Sequence, residues 1–471
     1  MIPYPGFRGR GTTPPLQLIG DTPSIHTFMR VILIFDIGKT NKKVLLFNEQ
    51  YDVVWRDSVS IPETTDEDGF PCDDLPAITQ WIDGQLSHTR SMKEFEIVAI
   101  NCTAYGASLV YLDEQQRPLT PLYNYLKPYP EDVLENFTST YPDWPVITAS
   151  PVSGNLNAGL QLFRMKQHQP SLLQTVRHVC HLPEYISFLT GGSIHSEITS
   201  IGCHTAMWDF KKKQYHRWIT EEGLMDLLPP LKKANEALHA KSPGGSRATG
   251  TGLHDSSAAL VPYLQQVKQP FLLLSTGTWS ISLNPFNNHP LTKEELEQDC
   301  LCYLTPEGSP VKASRLFAGA FHEQQVQRIA AYFHVAPAYF NTIHFNASLV
   351  KRQQYKFDRV YTPGTFHERD LAEFATQEEA YHHFVHDLVE QQVVATSYVL
   401  HGTRPRKILV DGGFSRNEVF MHFFAMAMRE YDVSAAEVGE ASALGAAMII
   451  HEHWNTNPLP EELIKLKKIK M

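Results

Sequence analysis

Four short segments of the chain combine carboxylate, hydroxyl and glycine residues in patterns that suit binding of phosphate groups. The first is Asp36-Ile37-Gly38-Lys39-Thr40, where a carboxylate follows an apolar run and stands beside a glycine turn. A carboxylate in this setting suits a magnesium-linked acid, and the backbone N–H groups of such a turn suit phosphate oxygens. A surface turn of the Asp-x-Gly type is the alternative interpretation of the same residues.

Two further segments carry small residues that let a ligand approach the backbone. The sequence STGT at 275–278 supplies hydroxyl and amide donors for phosphate oxygens through Gly277 and Thr278. The pair Gly412 and Gly413 follows an apolar run and precedes a helix pattern, a turn that presents a helix N-terminus to an anion or nucleotide. The glycine pair predicts either the lining of an adenosine pocket or a tight turn alone.

The fourth segment is His254-Asp255, which begins the helix pattern HDSSAALVPYLQQ. An aspartate at the start of a helix is a natural N-cap. The same pair also suits acid–base chemistry, and the two interpretations stay open at this point.

The elements that must position these segments form a repeated pattern. Apolar runs at 31–36, 42–47 and 51–60 are joined by tight turns and predict an antiparallel meander. The runs at 271–275 and 279–284 repeat a strand, a glycine turn and a return strand. We therefore expect two related halves, each opening with a hairpin, whose facing turns clamp phosphates.

The remaining elements are assigned by periodicity and by turn residues. An acidic segment at 63–74 reads as a solvated surface loop. His382, His383 and His386 share one helix face, and we interpret them as surface histidines rather than a metal site. The other predicted elements are a helix at 75–88, a buried strand at 96–102, a hairpin at 107–119, helices within 156–189 broken near Pro170 and Pro183, a linker or active-site loop at 241–252, a long helix at 378–401, a strand, turn and helix at 407–428 with Ser415 as N-cap, a small-residue helix at 440–450 and a basic amphipathic helix end at 462–471.

Composition excludes several classes of protein. The 471 residues include 41 Lys and Arg against 51 Asp and Glu, a formal net charge of −10 that favours neither nucleic acid nor an anionic membrane as partner. Six cysteines without a framework spacing indicate reduced thiols and a cytoplasmic protein. No apolar run approaches the 18 to 20 residues of a membrane span. Residues 1–29, rich in Pro and Gly, read as a flexible arm or as sequence ahead of a start at Met29.

Taken in order, the four segments resemble the FGGY family of carbohydrate kinases. FDIGKTNKKV (35–44) and STGTWS (275–280) are similar to its two phosphate hairpins, VDGGFSRNEVF (410–420) to its adenosine segment, and EASALGAA (440–447) to its closing helix. GLHDSSAAL (252–260) resembles the segment of the rhamnulokinase and fuculokinase branch whose Asp is the catalytic base. AYGASLVYLDEQQRPL (104–119) resembles a hairpin of that branch, with Tyr105 in place of Trp.

The resemblance implies an α/β fold of two actin-like (ribonuclease H-like) ATPase domains with a ligand cleft between them. It implies an N-terminal sugar-binding lobe at 30–265 and a C-terminal nucleotide-binding lobe at 266–471, with ATP and Mg²⁺ as cofactors. By the same resemblance Asp255 is the catalytic base and Asp36 the metal ligand. The sugar contacts implied are His254, Tyr105 and Gly106, and the implied nucleotide contacts are Gly38, Lys39, Thr40, Lys43, Gly277, Thr278, Gly412, Gly413 and Asn417.

Two departures from the family pattern bear on the substrate. Lys39 stands where the family has a small residue or Thr, and Lys42 and Lys43 follow it, which adds charge near the expected phosphates. The segment 123–125 lacks the Arg and Asp that contact the sugar in the family.

The function implied is phosphorylation of a ketose of the L-rhamnulose or L-fuculose type, in sugar catabolism, by a monomer or homodimer. A kinase for xylulose, ribulose or a polyol, and an inactive nucleotide-binding regulatory or scaffold protein, are the alternatives.

Overall fold

The computed structural model describes residues 28–242, 245–350 and 366–469. Residues 1–27 of the expected N-terminal arm lie outside the described residues. The described chain is built on two seven-stranded sheets, one from each half of the sequence.

The first sheet is organised around the strand Met29–Ile37. This strand pairs antiparallel with Lys42–Asn48 and parallel with Phe95–Ala104. Its interior residues are apolar and fully buried, which fits a central strand covered on both faces. The order across the sheet is Ala237–Ser242, Gly245–Gly250, Phe95–Ala104, Met29–Ile37, Lys42–Asn48 and Val53–Val59, with Leu253–His254 also paired to Phe95–Ala104.

The second sheet repeats this arrangement around the strand Phe271–Thr276. That strand pairs antiparallel with Ser280–Asn284 and parallel with Lys407–Gly412. The two related halves expected from the sequence are therefore confirmed, each as a hairpin beside a parallel strand. The order is Cys300–Leu304, Pro310–Leu316, Ser280–Asn284, Phe271–Thr276, Lys407–Gly412, Asp432–Glu437 and Lys465–Lys468.

Helices cover both sheets, and short two-stranded pairs complete the fold. The α-helices of the described residues are Leu75–Ser91, Glu131–Thr140, Trp144–Ile147, Ala158–His168, Pro170–Leu173, Leu182–Leu189, Ile198–Ile201, Arg217–Glu221, Asp255–Gln266, Lys293–Glu297, Ala318–Phe333, Gln377–Leu400, Glu418–Ala427 and Ala441–Ile449. The short strand pairs are Thr64–Thr65 with Pro71–Cys72, Leu109–Leu112 with His178–His181, Ser196–Glu197 with Leu231–Lys232, and Trp208–Asp209 with Gln214–Tyr215.

The helix Asp255–Gln266 joins the two sheets. Its residues Ala258 and Val261 lie in a buried cluster with the first sheet, whereas Leu260 and Tyr263 lie in a cluster with the second. The helix Ala441–Ile449 packs closely beside it. A Cβ on Gly445 would overlap the Ala258 carbonyl oxygen, so the absence of a side chain at Gly445 permits this approach. The first residue of the joining helix therefore lies where the two sheets meet.

Two sequence predictions for the region 107–189 are wrong in part. The chain does reverse within 107–119, where an antiparallel bridge joins Leu112 to Pro118 and the Leu119 N–H donates to the Tyr111 carbonyl, but the main partner of the strand Leu109–Leu112 is His178–His181, which the sequence did not predict. The expected break at Pro170 is present, but a strand rather than continuous helix precedes Pro183. Both errors arise because the strand pairing spans about seventy residues, which local periodicity does not report.

Four further assignments are corrected. The segment 241–252 is mostly the strand Gly245–Gly250 rather than a linker or loop, and the basic tail forms the edge strand Lys465–Lys468 rather than a helix end. The N-cap positions are His254 rather than Asp255 and Asn417 rather than Ser415.

The acidic segment 63–74 is only partly a solvated loop. Asp66 and Asp73 are buried, and each carboxylate is bonded to a lysine. Among the described residues, none of the helices combines the length and apolar character that crossing a bilayer requires.

Candidate active site

Two pairs of parallel strands, one pair in each sheet, flank the junction made by the joining helix. In the first sheet, Asp36 and Thr103 are register partners near the carboxyl ends of two parallel strands. In the second sheet, Thr276 and Gly412 occupy the equivalent positions. Carboxyl ends of parallel strands are the usual place for ligand sites in α/β sheets, so the geometry favours this junction as the active site.

Asp36 lies within this junction in an unusual electrostatic setting. Its side chain is 14% exposed, and its Oδ2 lies 4.0 Å from the Nζ of Lys43. Burial raises the pKa of Asp36 to about 7; Lys43 opposes this shift, whereas the nearby Asp255 and Glu440 carboxylates add to it. Clustered carboxylates that repel one another are stabilised by a bound cation.

The donor set is consistent with Mg²⁺ held together with phosphate. Among the described residues, no group of three or more His, Cys, Asp or Glu side chains could hold a metal ion. Mg²⁺ is commonly bound by one or two carboxylates plus substrate phosphates rather than by an all-protein cage. Asp36 beside Asp255 fits that arrangement.

Asp255 is the first residue of the joining helix. Its Oδ1 accepts a hydrogen bond from the backbone N–H of Ser256 at 2.6 Å, and its side chain is 34% exposed. The Nε2 of His254 lies 3.3 Å from the same Oδ1. The carboxylate is therefore held from one side and open on the other, as a general base requires.

His254 is enclosed rather than open. Its ring stacks on Tyr303, with ring centroids 5.5 Å apart, and its Nε2 lies 3.0 Å from the Sγ of Cys203. A Cβ on Gly106 would lie 2.8 Å from the His254 ring. Burial lowers the pKa of His254, and the Asp255 charge only partly opposes this, so the imidazole is neutral. The predicted residues His254, Gly106 and Asp255 thus meet at one place.

Tyr105 joins this place to a network of charges that the sequence did not reveal. Its hydroxyl donates to the Oδ2 of Asp73 at 2.7 Å, and the Nζ groups of Lys39 and Lys42 also contact that carboxylate. Lys39 further contacts Glu63 at 2.8 Å. The positive charge of Lys39, expected near phosphates, is therefore engaged by two carboxylates. We call Lys39, Lys42, Glu63, Asp73 and Tyr105 the Asp73 network.

The other predicted residues of the first hairpin lie at its turn. The Gly38 N–H donates to the Asn41 carbonyl at 3.0 Å, and Thr40 is exposed at the tip. The Nζ of Lys43 contacts the Oε2 of Glu440 at 2.6 Å, which links this hairpin to the start of the closing helix. These contacts hold the turn beside Asp36 and leave the Thr40 side chain accessible.

The turn of the second hairpin and one glycine of the pair, Gly413, border a cavity of about 800 Å³, whereas the predicted contact Gly412 is not among its lining residues. Gly277, Gly413 and Asn417, all predicted nucleotide contacts, line it together with Gly319 and His322. Thr278 lies in the same turn and its carbonyl accepts from the N–H groups of Gly319 and Ala320, so the turn covers the start of a helix. This volume is in the range of small-molecule sites.

Local geometry explains why this cavity needs glycine and asparagine. Gly412 has a φ of +85°, and a Cβ there would overlap the Thr276 carbonyl oxygen. Asn417 caps the helix Glu418–Ala427 by accepting from the Phe420 N–H at 3.0 Å, and its Nδ2 donates to the Tyr381 hydroxyl. Gly413 has open space where a side chain would project. A ligand can therefore approach the backbone at Gly413.

The interpretation of His382, His383 and His386 as surface histidines is wrong for two of them, because His382 and His386 are buried. His382 is already engaged on both nitrogens, since Nδ1 contacts the Glu378 carbonyl and Nε2 accepts from the Asn346 N–H. His386 is buried and burial lowers its pKa to about 4. His382 and His386 are therefore packed side chains of the long helix, and His383 is partly buried.

The comparisons with known proteins agree with this geometry. The model of the FGGY family of carbohydrate kinases, N-terminal domain, matches residues 31–261, and that of the carbohydrate kinase FGGY, C-terminal domain, matches residues 268–458. A carbohydrate kinase from Novosphingobium aromaticivorans has the same fold, with a TM-score of 0.73, 21% identity and 94% of each chain covered.

Two curated relatives match at low identity. A rhamnulokinase from Halalkalibacterium halodurans is 24% identical over 52% of this chain and 52% of its own length. An L-fuculokinase from Escherichia coli is 24% identical over 53% of this chain and 56% of its own length. The chain thus spans about half the length of the curated relatives it matches.

Proposed function

The chain belongs to the FGGY family of carbohydrate kinases, and we propose that it transfers the γ-phosphoryl group of ATP to a hydroxyl of a ketose sugar. The observation that carries the proposal is that Asp36, at the end of the first hairpin strand, lies within electrostatic range of Asp255, the first residue of the helix that joins two hairpin-bearing sheets. Relatives named for rhamnulose and L-fuculose support a ketose of that type, acting in sugar catabolism.

In this proposal Asp255 is the general base. The acceptor hydroxyl gives its proton to the open carboxylate oxygen of Asp255, since Oδ1 is bonded to the Ser256 N–H. The freed oxygen forms the new bond to the γ-phosphorus as the bond between that phosphorus and the bridging oxygen breaks, leaving ADP. Such a transition state is loose, so positioning and charge neutralisation supply most of the rate enhancement.

The nucleotide would occupy the cavity beside Gly277, Gly413 and Asn417. Open space at Gly413 would let the adenosine part approach the backbone. The turn at Gly277 and Thr278 would then lie beside the phosphates. Asp36 would hold Mg²⁺, which when bound neutralises phosphate charge. Lys43, Gly38 and Thr40 would border the phosphates from the other hairpin.

His254, Tyr105 and Gly106 would form the sugar side of the site. His254 is neutral and enclosed, so we propose that it contributes mainly by holding the position of the backbone before Asp255. The segment 123–125 lacks the Arg and Asp that contact the sugar in the family. In this proposal the polar groups of the Asp73 network, which adjoin Tyr105, supply sugar contacts in their place.

The proposal is tested by measuring ADP release from ATP in the presence of L-rhamnulose, L-fuculose, L-ribulose, D-xylulose and glycerol. We expect turnover with at least one ketose, and none without a sugar. Nucleotide binding without turnover on any sugar would instead support an inactive nucleotide-binding protein on this fold.

A further inference from the structure

We propose that Thr199 is a positioning residue for the base, because its hydroxyl holds the backbone N–H of His254 and Glu197 orients that hydroxyl. The inference rests on the proposed kinase function and adds to it two residues that the sequence did not indicate. The hydrogen bonds of the segment that precedes Asp255 carry the inference.

The residue before the base ends a strand of only two residues, Leu253–His254. This strand pairs in parallel with Phe95–Ala104, where Ala104 is the register partner of His254. The His254 N–H donates to the hydroxyl oxygen of Thr199 at 3.0 Å. A side chain thus supplies the acceptor that a further strand would otherwise provide for this backbone group.

The orientation of the Thr199 hydroxyl is fixed by a carboxyl group. The Oε2 of Glu197 accepts from Thr199 Oγ1 at 2.5 Å, and from the N–H groups of Thr199 and Ser200 at 2.9 and 3.1 Å. A hydroxyl has one O–H donor and two acceptor lone pairs. Because the proton is given to Glu197, a lone pair is left for the His254 N–H. The hydroxyl therefore acts as an acceptor toward the segment before Asp255.

Glu197 does more than cap a helix. It is the N-cap of the short helix Ile198–Ile201, and the bonds from the Thr199 and Ser200 N–H groups serve that purpose. Glutamate is not among the preferred N-cap residues, and burial of its carboxyl group is unfavourable. Glu197 and Thr199 are both 0% exposed. The bond from the Thr199 hydroxyl is one that a cap does not require, and it links this buried group to the base.

The series of bonds ends one residue before the reacting group. Asp255 begins the helix Asp255–Gln266, and His254 is the N-cap of that helix without a side-chain capping bond. His254 is buried, so bulk water does not replace the Thr199 hydroxyl, and an unpaired buried N–H is costly. Loss of the hydroxyl therefore shifts the start of the helix. A misplacement of a catalytic group by about 1 Å can lower the rate a hundredfold.

The first test removes the hydroxyl and keeps the shape of the side chain. In Thr199→Val, with the ketose that gives the highest turnover, we expect kcat to fall about tenfold. The KM for that ketose and the ADP affinity, measured by calorimetry, should stay within about twofold of the wild type. Thr199→Ser restores the hydroxyl and should recover most of kcat. A serine variant no more active than the valine variant would overturn the inference.

The matched control is the same change at a hydroxyl without this role. Thr249 is also fully buried in the first sheet, and its hydroxyl has no hydrogen-bond partner among the described residues. Thr249→Val should leave kcat unchanged. Equal losses of kcat in Thr199→Val and Thr249→Val would contradict the role of Thr199.

The second test changes the orienting group and leaves Thr199 in place. Glu197→Met offers no acceptor, so the Thr199 hydroxyl is free to turn, and we expect kcat to fall about fivefold. Glu197→Gln keeps an acceptor oxygen and should be markedly more active than Glu197→Met. Equal kcat values for the methionine and glutamine variants would overturn the role of Glu197, whether or not Thr199→Val folds.

The last test asks whether Thr199 acts through Asp255. In an Asp255→Asn background, Thr199→Val should lower the remaining turnover less than about twofold, because there is no base left to position. Losses that multiply in the double variant would overturn the inference and leave the kinase function intact. An Asp255→Asn variant that retains most of its turnover would instead overturn the proposed base, and with it this inference.

Discussion

The imidazole ring of His254 occupies the space that a side chain on Gly106 would need. A Cβ built on Gly106 lies 2.8 Å from His254 Cδ2 and 3.1 Å from the Cys203 sulfur. Two segments far apart in sequence are thus in direct contact beside Asp255. The position of the proposed base depends on the absence of a side chain at Gly106.

The first prediction is that Gly106→Ala lowers activity without weakening nucleotide binding. The added methyl must displace the His254 ring from Tyr303 and Cys203, which moves the backbone before Asp255. We expect kcat to fall at least tenfold, since small displacements of catalytic groups have large kinetic costs. Gly84→Ala, at an exposed helical position with open space, is the control and should be neutral or stabilising. Equal activities of the two variants would contradict the prediction.

The second prediction concerns the nucleotide cavity. Gly413 has helical dihedral angles and open space at its Cβ position, so Gly413→Val can fold without strain and projects into the cavity. We expect ADP affinity, measured by calorimetry, to fall at least tenfold with little change in thermal midpoint. Gly413→Ala should show a smaller loss. Full ADP affinity in the valine variant would place the nucleotide elsewhere.

The third prediction is a pH dependence of stability. Burial raises the pKa of Glu197 to about 7, and its Oε2 accepts from the N–H groups of Thr199 and Ser200. The folded protein therefore retains a proton at Glu197 that the unfolded chain releases near pH 4.5. The associated stabilisation is fully present below pH 4.5 and is lost as pH rises through 7, at a cost of about 3 kcal/mol.

Glu197→Gln removes this titration and keeps an oxygen to accept the same bonds. We expect the thermal midpoint of the wild type to fall relative to that of the variant between pH 5 and pH 8. Parallel curves for the two proteins would contradict the assigned protonation. Glu114→Gln, at an exposed turn, should follow the wild type at every pH.

The sequence was most informative where local pattern and function coincide. Apolar strands ending in glycine turns predicted both hairpins, because a buried strand and its return strand are adjacent in the chain. The repeat of this pattern predicted the two halves of the fold. The same segments also contain Gly277, Gly413 and Asn417, which line one cavity in the structure.

The charges of the Asp73 network could not be derived in this way. Asp73 pairs with Lys42 and Lys39, which lie more than thirty residues away, so the segment 63–74 looked like a solvated loop. The sequence did contain one indication of this pairing, which was complementary charge. The segment 63–74 is acidic and has no Lys or Arg, and the turn of the first hairpin carries three lysines. The edge strand Lys465–Lys468 was missed for a related reason. Its partner strand, Asp432–Glu437, lies elsewhere in the chain, so local periodicity does not report the pairing.

The central claim is that Asp255 accepts the proton of a sugar hydroxyl, and Asp255→Asn tests it most directly. The variant keeps the shape of the side chain and an oxygen for the Ser256 N–H, so ADP binding and thermal midpoint should be unchanged. Sugar-dependent ADP release is expected to fall about a thousandfold. A variant that binds ADP normally and retains most of its sugar-dependent turnover would contradict the account.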